Sequence, residues 1–129
     1  MNYGKLYSEF KAAVPESVGF CEEKEVENFI DDTVGIHVSF GMIVVPYILY
    51  IVDNREDTVI QKIFCFMEQM AICQDIKVQE VLDFTILEQL ADEGHDKLQE
   101  CKKYMGMNTL QHCEKVEEYF YCKRQSNGV

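Results

Sequence analysis

The sequence predicts an all-α fold of six or seven helices, and three observations support this prediction. Apolar residues recur at helical spacing, no segment alternates convincingly as a strand would, and the connections between apolar stretches are short. The chain has 129 residues, the size of one domain. Residues 1–129 are therefore expected to form a single domain. Because short connections place neighbouring helices antiparallel, this domain would be either a compact helical bundle or a short HEAT-like array.

The N-terminal half contains two helices of the same build. The first ends before Pro15, which cannot continue a helix. Its apolar face consists of Tyr3, Leu6, Tyr7, Phe10, Ala13 and Val14. The second, with Asp57 as its candidate N-cap, repeats the same six offsets at Ile60, Ile63, Phe64, Met67, Met70 and Ala71. Between them, Val26, Phe29 and Ile30 predict a shorter helix within an acidic run.

The segment over residues 33–52 is apolar and ambiguous. Its first residues alternate as in a strand, but Ile36, Phe40 and Ile43 also share a helical face. Because a lone strand would leave backbone groups unpaired, a helix is predicted, with a break or kink at Pro46. These twenty uncharged residues could span a bilayer. Since they contain polar residues and lack flanking basic clusters, a buried core segment is expected instead, with His37 as a hydrogen-bonded core histidine.

The C-terminal half predicts three more helices. Lys77–Ala91 is apolar around most of its circumference, as a central helix would be. Gly94 separates it from a helix over His95–Tyr104, which ends near Gly106. Asn108 is the candidate cap of a last helix that carries Leu110, Cys113, Val116 and Phe120. Residues 64–71 and 84–91 both follow the pattern Phe-x-apolar-apolar-Glu-Gln-apolar-Ala, which indicates core helices of similar build.

The composition is strongly acidic. Asp and Glu number 23 against 12 Lys and Arg, which gives a net charge of −11. The excess is concentrated in residues 1–60, which carry 11 acids and 4 bases. Such a field repels nucleic acid and anionic membranes, and it attracts basic partners. The simpler interpretation is that the excess of acidic residues serves only to keep the protein soluble.

Two groups of carboxylates are candidate partner-binding residues. The first group comprises Glu22, Glu23, Glu25, Glu27, Asp31 and Asp32, and the second comprises Glu88, Asp92, Glu93 and Asp96. Acids four residues apart repel one another on a helix, and Lys24 is the only base between residues 16 and 32. A basic partner would relieve that repulsion, so its binding would weaken with salt. Acidic faces that only meet solvent are the alternative.

The sequence predicts neither an enzyme nor a cofactor or metal site. It has no glycine-rich phosphate loop and no nucleophile-elbow serine. Asp92 and His95 have the spacing of a di-iron ligand pair, but only once. The chain begins without an apolar signal core, so a cytoplasmic location with reduced thiols is expected. Cys65 and Cys113 fall on predicted apolar helical faces as structural thiols.

Three motifs resemble a family of small, acidic, all-helical bacterial proteins. They are VLDFTILEQLAD at residues 81–92, FMEQMA at 66–71 and KYMG at 103–106. These proteins are similar in size and character to immunity proteins encoded beside polymorphic or contact-dependent toxins. The resemblance covers residues 36–120 and lies on core helices, so it implies a fold but transfers no catalytic residue. The similarity to immunity proteins implies a toxin as the partner.

The functional hypothesis is therefore an immunity protein that binds and neutralises a cognate toxin domain through an acidic surface. The toxin would be basic, for example a nuclease whose active site or substrate surface the carboxylates block by mimicking the phosphate backbone. The alternative is a helical adaptor or scaffold without a toxin partner. An adaptor would bind through an apolar groove, and its binding would be nearly independent of salt.

Overall fold

A computed structural model describes residues 1–127, and the side chains of residues 1–120. The predicted all-α fold is confirmed, because the described chain forms seven helices and no strand. The helices are α1 (Leu6–Ala13), α2 (Val18–Glu27), α3 (Ile36–Asp53), α4 (Asp57–Ala71), α5 (76–92), α6 (His95–Lys102) and α7 (Met107–Asn127). Single 3₁₀ turns, Tyr3–Lys5 and Pro15–Ser17, lead into α1 and α2.

The helices form a compact bundle around one main hydrophobic core and a smaller one. Every helix except α2 contributes to the main cluster of buried side chains, and α2 adds Cys21 to a smaller cluster with Ile30 and Ile43. Helix α4 packs against α1, α3, α5 and α7. In a HEAT-like array each repeat contacts only its neighbours in sequence. The contacts of α4 with both α1 and α7 therefore favour the bundle among the two predicted architectures.

Helix α3 is continuous, so of the two predicted alternatives at Pro46, a break or a kink, the break is wrong. Its first part passes through a π-helical turn, Phe40–Val44, directly before the segment that contains Pro46. Proline has no backbone N–H to donate, and its ring crowds the preceding turn of the helix. The wider π turn accommodates the missing hydrogen bond and the ring. Helix α3 is the one helix in the described chain that is long and apolar enough to cross a membrane. Half of it is buried among the other helices, as expected of a core segment.

Helices α3 and α5 run parallel and touch through their π-helical turns. The turn of α5 spans Leu82–Leu87. His37 Nδ1 lies 2.6 Å from the hydroxyl of Thr85, so the predicted hydrogen-bonded histidine is confirmed, although it is half-buried. Further along, a Cβ on Gly41 would lie 2.8 Å from Nε2 of Gln89. From the His37–Thr85 pair to the Gly41–Gln89 pair, the residue number rises along both helices, which shows that they are parallel. Helix α4, which lies between them in sequence, returns the chain.

The π turn of α5 also changes which residues are buried in the second of the two segments of similar sequence, 64–71 and 84–91. Phe64 is buried, but its counterpart Phe84 is 59% exposed. Cys65 is exposed, so the prediction that it lies on an apolar face is wrong, whereas its counterpart Thr85 is buried. A π turn takes up more residues than an α turn and so rotates the residues that precede it. Over residues 66–70 and 86–90 the two segments bury matching positions, as at Met70 and Leu90.

Helix α2 lies earlier than predicted. Val26, Phe29 and Ile30 do not share a buried helical face, because α2 ends at Glu27 and turns its Cys21 side toward the core. Val26 is 78% exposed and Phe29 is 90% exposed, while Ile30 is buried beyond the end of the helix.

Glu68 of α4 caps the N-terminus of α7. Its carboxylate accepts hydrogen bonds from the backbone N–H groups of Asn108 and Thr109, at 3.1 and 2.8 Å. It also accepts one from the side chain of each of these residues, both at 2.8 Å. Asn108 is thus a donor inside the helix, and the prediction that it caps α7 is wrong. Asp57 likewise is the first residue of α4 and makes no side-chain cap.

Gly106→Ala is expected to lower the free energy of unfolding by about 1–2 kcal/mol, because overpacking would push the cap aside. A Cβ at Gly106 would lie 2.6 Å from Cδ of Glu68. Gly19 in α2 has nothing within 4 Å of its Cβ position, so Gly19→Ala is the matched control. It should stabilise the protein by about 0.5–1 kcal/mol. Urea denaturation measures both, and an unchanged stability in Gly106→Ala would contradict this account of the cap.

Candidate functional site

The first acidic group surrounds the end of α2. Five of its six members are exposed, and Glu25 is half-buried. Because α2 ends at Glu27, Asp31 and Asp32 lie on the following turn and do not continue the helical stripe. We call this surface the α2 face; it comprises Glu22, Glu23, Val26, Glu27, Phe29, Asp31 and Asp32.

Two bases neutralise part of this group, one from α1 and one from within α2. Lys11 of α1 lies 3.5 Å from Glu25, and Lys24 lies 2.9 Å from Glu27. Asp31 accepts hydrogen bonds from the side chain and the backbone N–H of Thr33, and these lower the pKa of its carboxyl. Glu22, Glu23 and Asp32 form no ion pair with any described side chain. Spacing along the sequence could not reveal the pairing with Lys11.

The end of α2 places an aromatic side chain at the centre of these acids. Ile30 N–H donates to the carbonyl of Glu25 at 2.8 Å, and Phe29 N–H to that of Val26 at 3.4 Å, which together form a Schellman motif. Phe29 occupies the left-handed position of the motif, with φ 55°, where glycine is preferred. This conformation costs a residue with a side chain about 1–2 kcal/mol. Because the ring is exposed, no packing within the chain offsets that cost.

A cavity of about 210 Å³ lies beside the α2 face, between α1 and the turn after α2. Its polar lining comes from Tyr7, Lys11, Glu25, Asp31, Asp32, Ser8 and Ser39. The hydroxyl of Tyr7 and Oε2 of Glu25 are buried, and neither reaches hydrogen-bond geometry with a partner. Burial raises the pKa of Tyr7 far above its usual range, and neighbouring Cys21 and Glu25 reinforce this shift, so the phenol stays protonated.

The second acidic group does not form one surface. Glu88 and Asp92 lie on α5, whereas Asp96 lies on α6, beyond a turn in which Gly94 has φ 118°. The turn at Gly94 therefore interrupts the four-residue spacing between Asp92 and Asp96, so these acids do not share one helical face. Asp96 also lines an open depression of about 550 Å³ together with the bases Arg55 and Lys103. This mixed charge makes the second group a weaker binding candidate than the α2 face.

An apolar strip lies on the solvent side of the contact between α3 and α5. On α3, Val38 follows His37 and Met42 follows Gly41, and both His37 and Gly41 face α5. On α5, Phe84 precedes Thr85, which faces α3. Because the two helices are parallel and right-handed, these three exposed side chains turn to the same side. We call them the α3–α5 strip.

Two buried thiols in the described chain are poor nucleophiles. Burial raises the pKa of Cys101 to about 11 and that of Cys113 to about 12, so both are protonated at neutral pH. His112 lies beside Asp83, with Nδ1 at 2.7 Å from the carboxylate, and is not paired with Cys113. Among the described residues, no group of three His, Cys, Asp or Glu side chains could hold a metal ion.

Comparison with known proteins identifies a family. No curated protein and no solved structure matches the chain. A family model described as a domain of unknown function, DUF7674, matches residues 7–121. The match begins in α1 and ends within α7, so it includes the α2 face, the neighbouring cavity and the Glu68 cap. The chain therefore belongs to the DUF7674 family of domains of unknown function.

Proposed function

We propose that this protein is an immunity protein that binds a basic toxin domain through the α2 face and so neutralises it. The proposal rests on the resemblance of its core motifs to small acidic bacterial proteins of that character. It also rests on the acidity of the chain, whose net charge is −11. The toxin would act in the cytoplasm, where its inhibitor would meet it.

The observation that carries the proposal is the exposed Phe29 in its left-handed conformation. Binding hot spots are typically aromatic side chains near the centre of an interface, enclosed by residues that exclude water. Phe29 and Val26 supply the apolar centre, and the carboxylates of the α2 face supply a charged rim. A rim charge mainly accelerates the encounter with a partner of opposite sign, while a buried centre holds the complex together. The α2 face combines both features for a basic partner.

For a nuclease toxin, the α2 face would act by occupying the surface that binds the phosphate backbone. Glu22, Glu23 and Asp32 are exposed and unpaired by any described base, so their charges remain available to a partner. Basic nuclease surfaces bind phosphates largely by charge, and carboxylates can replace phosphates there. Inhibition would then require no chemical step by this protein.

Capture from the native host at low and high salt tests the proposal. The partner should bind in about 50 mM salt and elute well below 1 M, because screening shortens the range of exposed charges from roughly 14 to 3 Å. Expressed alone, this partner should arrest bacterial growth, and co-expression of the present chain should restore it. Glu22→Lys with Glu23→Lys should abolish both binding and protection. A partner without toxicity, or one that the chain fails to neutralise, would contradict the proposal.

The second candidate function is a helical adaptor, which the α3–α5 strip favours. Val38, Met42 and Phe84 form an exposed apolar surface that shares no residue with the α2 face. An adaptor that used this strip would release its partner on Phe84→Asp substitution and would retain it at high salt. The immunity hypothesis predicts the opposite result for both measurements, so the same capture experiment separates the two functions.

A further inference from the structure

We infer that the protein forms a two-fold symmetric dimer through the outer face of α4, so the occupant of this face is a second copy of the chain. The face comprises Thr58, Gln61, Cys65, Gln69 and Ile72, all of them exposed, and we call it the α4 face. It shares no residue with the α2 face or the α3–α5 strip. Three observations carry the inference: the charge, the shape and the symmetry of the α4 face.

The α4 face has no unpaired charge, although the chain carries a net charge of −11. The charged side chains beside it are paired within the chain: Lys62 Nζ lies 2.6 Å from a carboxylate oxygen of Glu16, and Glu68 caps α7. By contrast, α5 and α7 expose Asp92 and Glu118, which form no ion pair with any described side chain. Because like charges oppose association, an acidic chain pairs with itself most readily where unpaired carboxylates are absent.

The shape of the α4 face suits an identical face. Gln61, Cys65 and Gln69 follow one another at intervals of four residues and so form a ridge on the helix. An open groove of about 360 Å³ lies on each side, one reaching Ala13 of α1 and the other Tyr104. Helices pack by placing the ridge of one in a groove of the other. Since ridge and groove lie side by side, each copy supplies both, as a two-fold interface requires.

The residue types are arranged symmetrically about Cys65. Gln61 and Gln69 lie four residues before and after it, and Thr58 and Ile72 lie seven residues before and after it. A two-fold axis that crosses α4 at Cys65 makes the two helices antiparallel, so the half with Gln61 lies over the half with Gln69 of the copy. Amide side chains both donate and accept hydrogen bonds, so these glutamines can pair between copies. The antiparallel arrangement also brings opposite ends of the two helix dipoles together.

The dimer should be weak, because one pair of helices forms it. Helix α4 has 15 residues and is about 22 Å long, so the interface is at the small end of specific interfaces. We expect a dissociation constant of about 1–100 μM. Analytical ultracentrifugation of the chain alone measures it and does not depend on any toxin. A protein that is still monomeric at about 1 mM would overturn the inference.

Two double variants test the face and its orientation. Gln61→Lys with Gln69→Lys places lysines over lysines of the copy, so it should weaken self-association at least about tenfold, although it makes the chain less acidic. Gln61→Lys with Gln69→Glu places lysine over glutamate and should keep the affinity of the parent protein or raise it. Phe84→Asp, on the α3–α5 strip, should leave self-association unchanged. Equal affinities of the two double variants, or loss of the dimer in Phe84→Asp, would contradict this interface.

Cross-linking through Cys65 locates the two-fold axis. Packed helices lie about 8–10 Å apart, so a short bismaleimide should join the Cys65 thiols of two copies. The experiment uses a chain with Cys73→Ser and Cys122→Ser, which leaves Cys65 as its one exposed thiol among the described side chains. Thr58→Cys combined with Cys65→Ser in this chain is the control, because its two thiols would lie about 20 Å apart. No cross-link at Cys65, or an equal yield in the control, would overturn the proposed dimer.

Discussion

Replacing Glu68 with alanine is expected to lower the free energy of unfolding by about 3 kcal/mol. The carboxylate accepts four hydrogen bonds from Asn108 and Thr109 at the positively polarised start of α7. Hydrogen bonds to a charged group contribute about 1.5–3 kcal/mol each, but bonds that share one carboxylate are not additive. Removal of Glu68 would also leave the buried Thr109 without its acceptor. Urea denaturation of the variant and the parent protein measures the loss.

Glu88→Ala is the matched control, because Glu88 occupies the equivalent place in the second segment of similar sequence. Glu88 is half-buried like Glu68 but does not cap a helix. Its replacement should change stability by no more than about 0.5 kcal/mol. Equal losses from the two variants would show that Glu68 has no special role in the bundle.

Acid should erase the difference between the parent protein and Glu68→Ala. Burial raises the pKa of Glu68, but the hydrogen bonds from Asn108 and Thr109 outweigh it and lower that pKa from 4.5 to about 2. A carboxyl whose pKa is lower in the folded state stabilises the fold fully above its unfolded pKa and loses this contribution as the pH falls. The stability difference should therefore be constant above about pH 5 and shrink between pH 4.5 and 2. A difference independent of pH over this range would exclude a charged cap.

The periodicity of apolar residues predicted most of the helices, because most of them bury a recognisable face; α2, in which only Cys21 is buried, is the exception. Helix α4 was expected from six apolar positions, and the structure buries all of them. The π turns of α3 and α5 were not predictable from this period. They depend on how two parallel helices fit around Thr85 and Gly41, a contact between residues far apart in sequence.

The functional residues were harder to predict for the same physical reason. Glu68 and Glu88 occupy the same place in their segments, and only the tertiary position of α7 makes Glu68 a cap. The acids of the α2 face were identified by composition, but the Lys11–Glu25 pair and the cavity beside Tyr7 arise from packing of α1 against the end of α2. Apolar spacing predicted a helix through Val26, Phe29 and Ile30, because a Schellman turn with a non-glycine residue leaves no pattern that spacing can detect.

Phe29→Gly is expected to weaken binding of the toxin partner by at least about 30-fold, the typical effect of losing a hot-spot aromatic residue. The same change should leave the stability of the free protein unchanged or raise it by up to about 1 kcal/mol, because glycine adopts the left-handed conformation without steric cost. Loss of binding would then not reflect loss of the fold. Thermal unfolding and calorimetric titration measure the two effects separately.

Arg55→Gly is the matched control for the backbone change. Arg55 ends α3 in a second Schellman motif, with φ 52° and N–H bonds from Arg55 to Val52 and from Glu56 to Ile51. It lies outside the α2 face, beside the depression lined by Asp96 and Lys103. Its replacement should therefore change stability as Phe29→Gly does and should leave the affinity for the partner unchanged.

The dissociation constant of the captured toxin partner, measured for Phe29→Gly and Arg55→Gly side by side, tests the role of the α2 face most directly. The α2 face predicts a rise of at least about 30-fold for Phe29→Gly alone, with both variants folded. Equal dissociation constants for the two variants and the parent protein would contradict the claim that Phe29 and its surrounding acids form the binding surface.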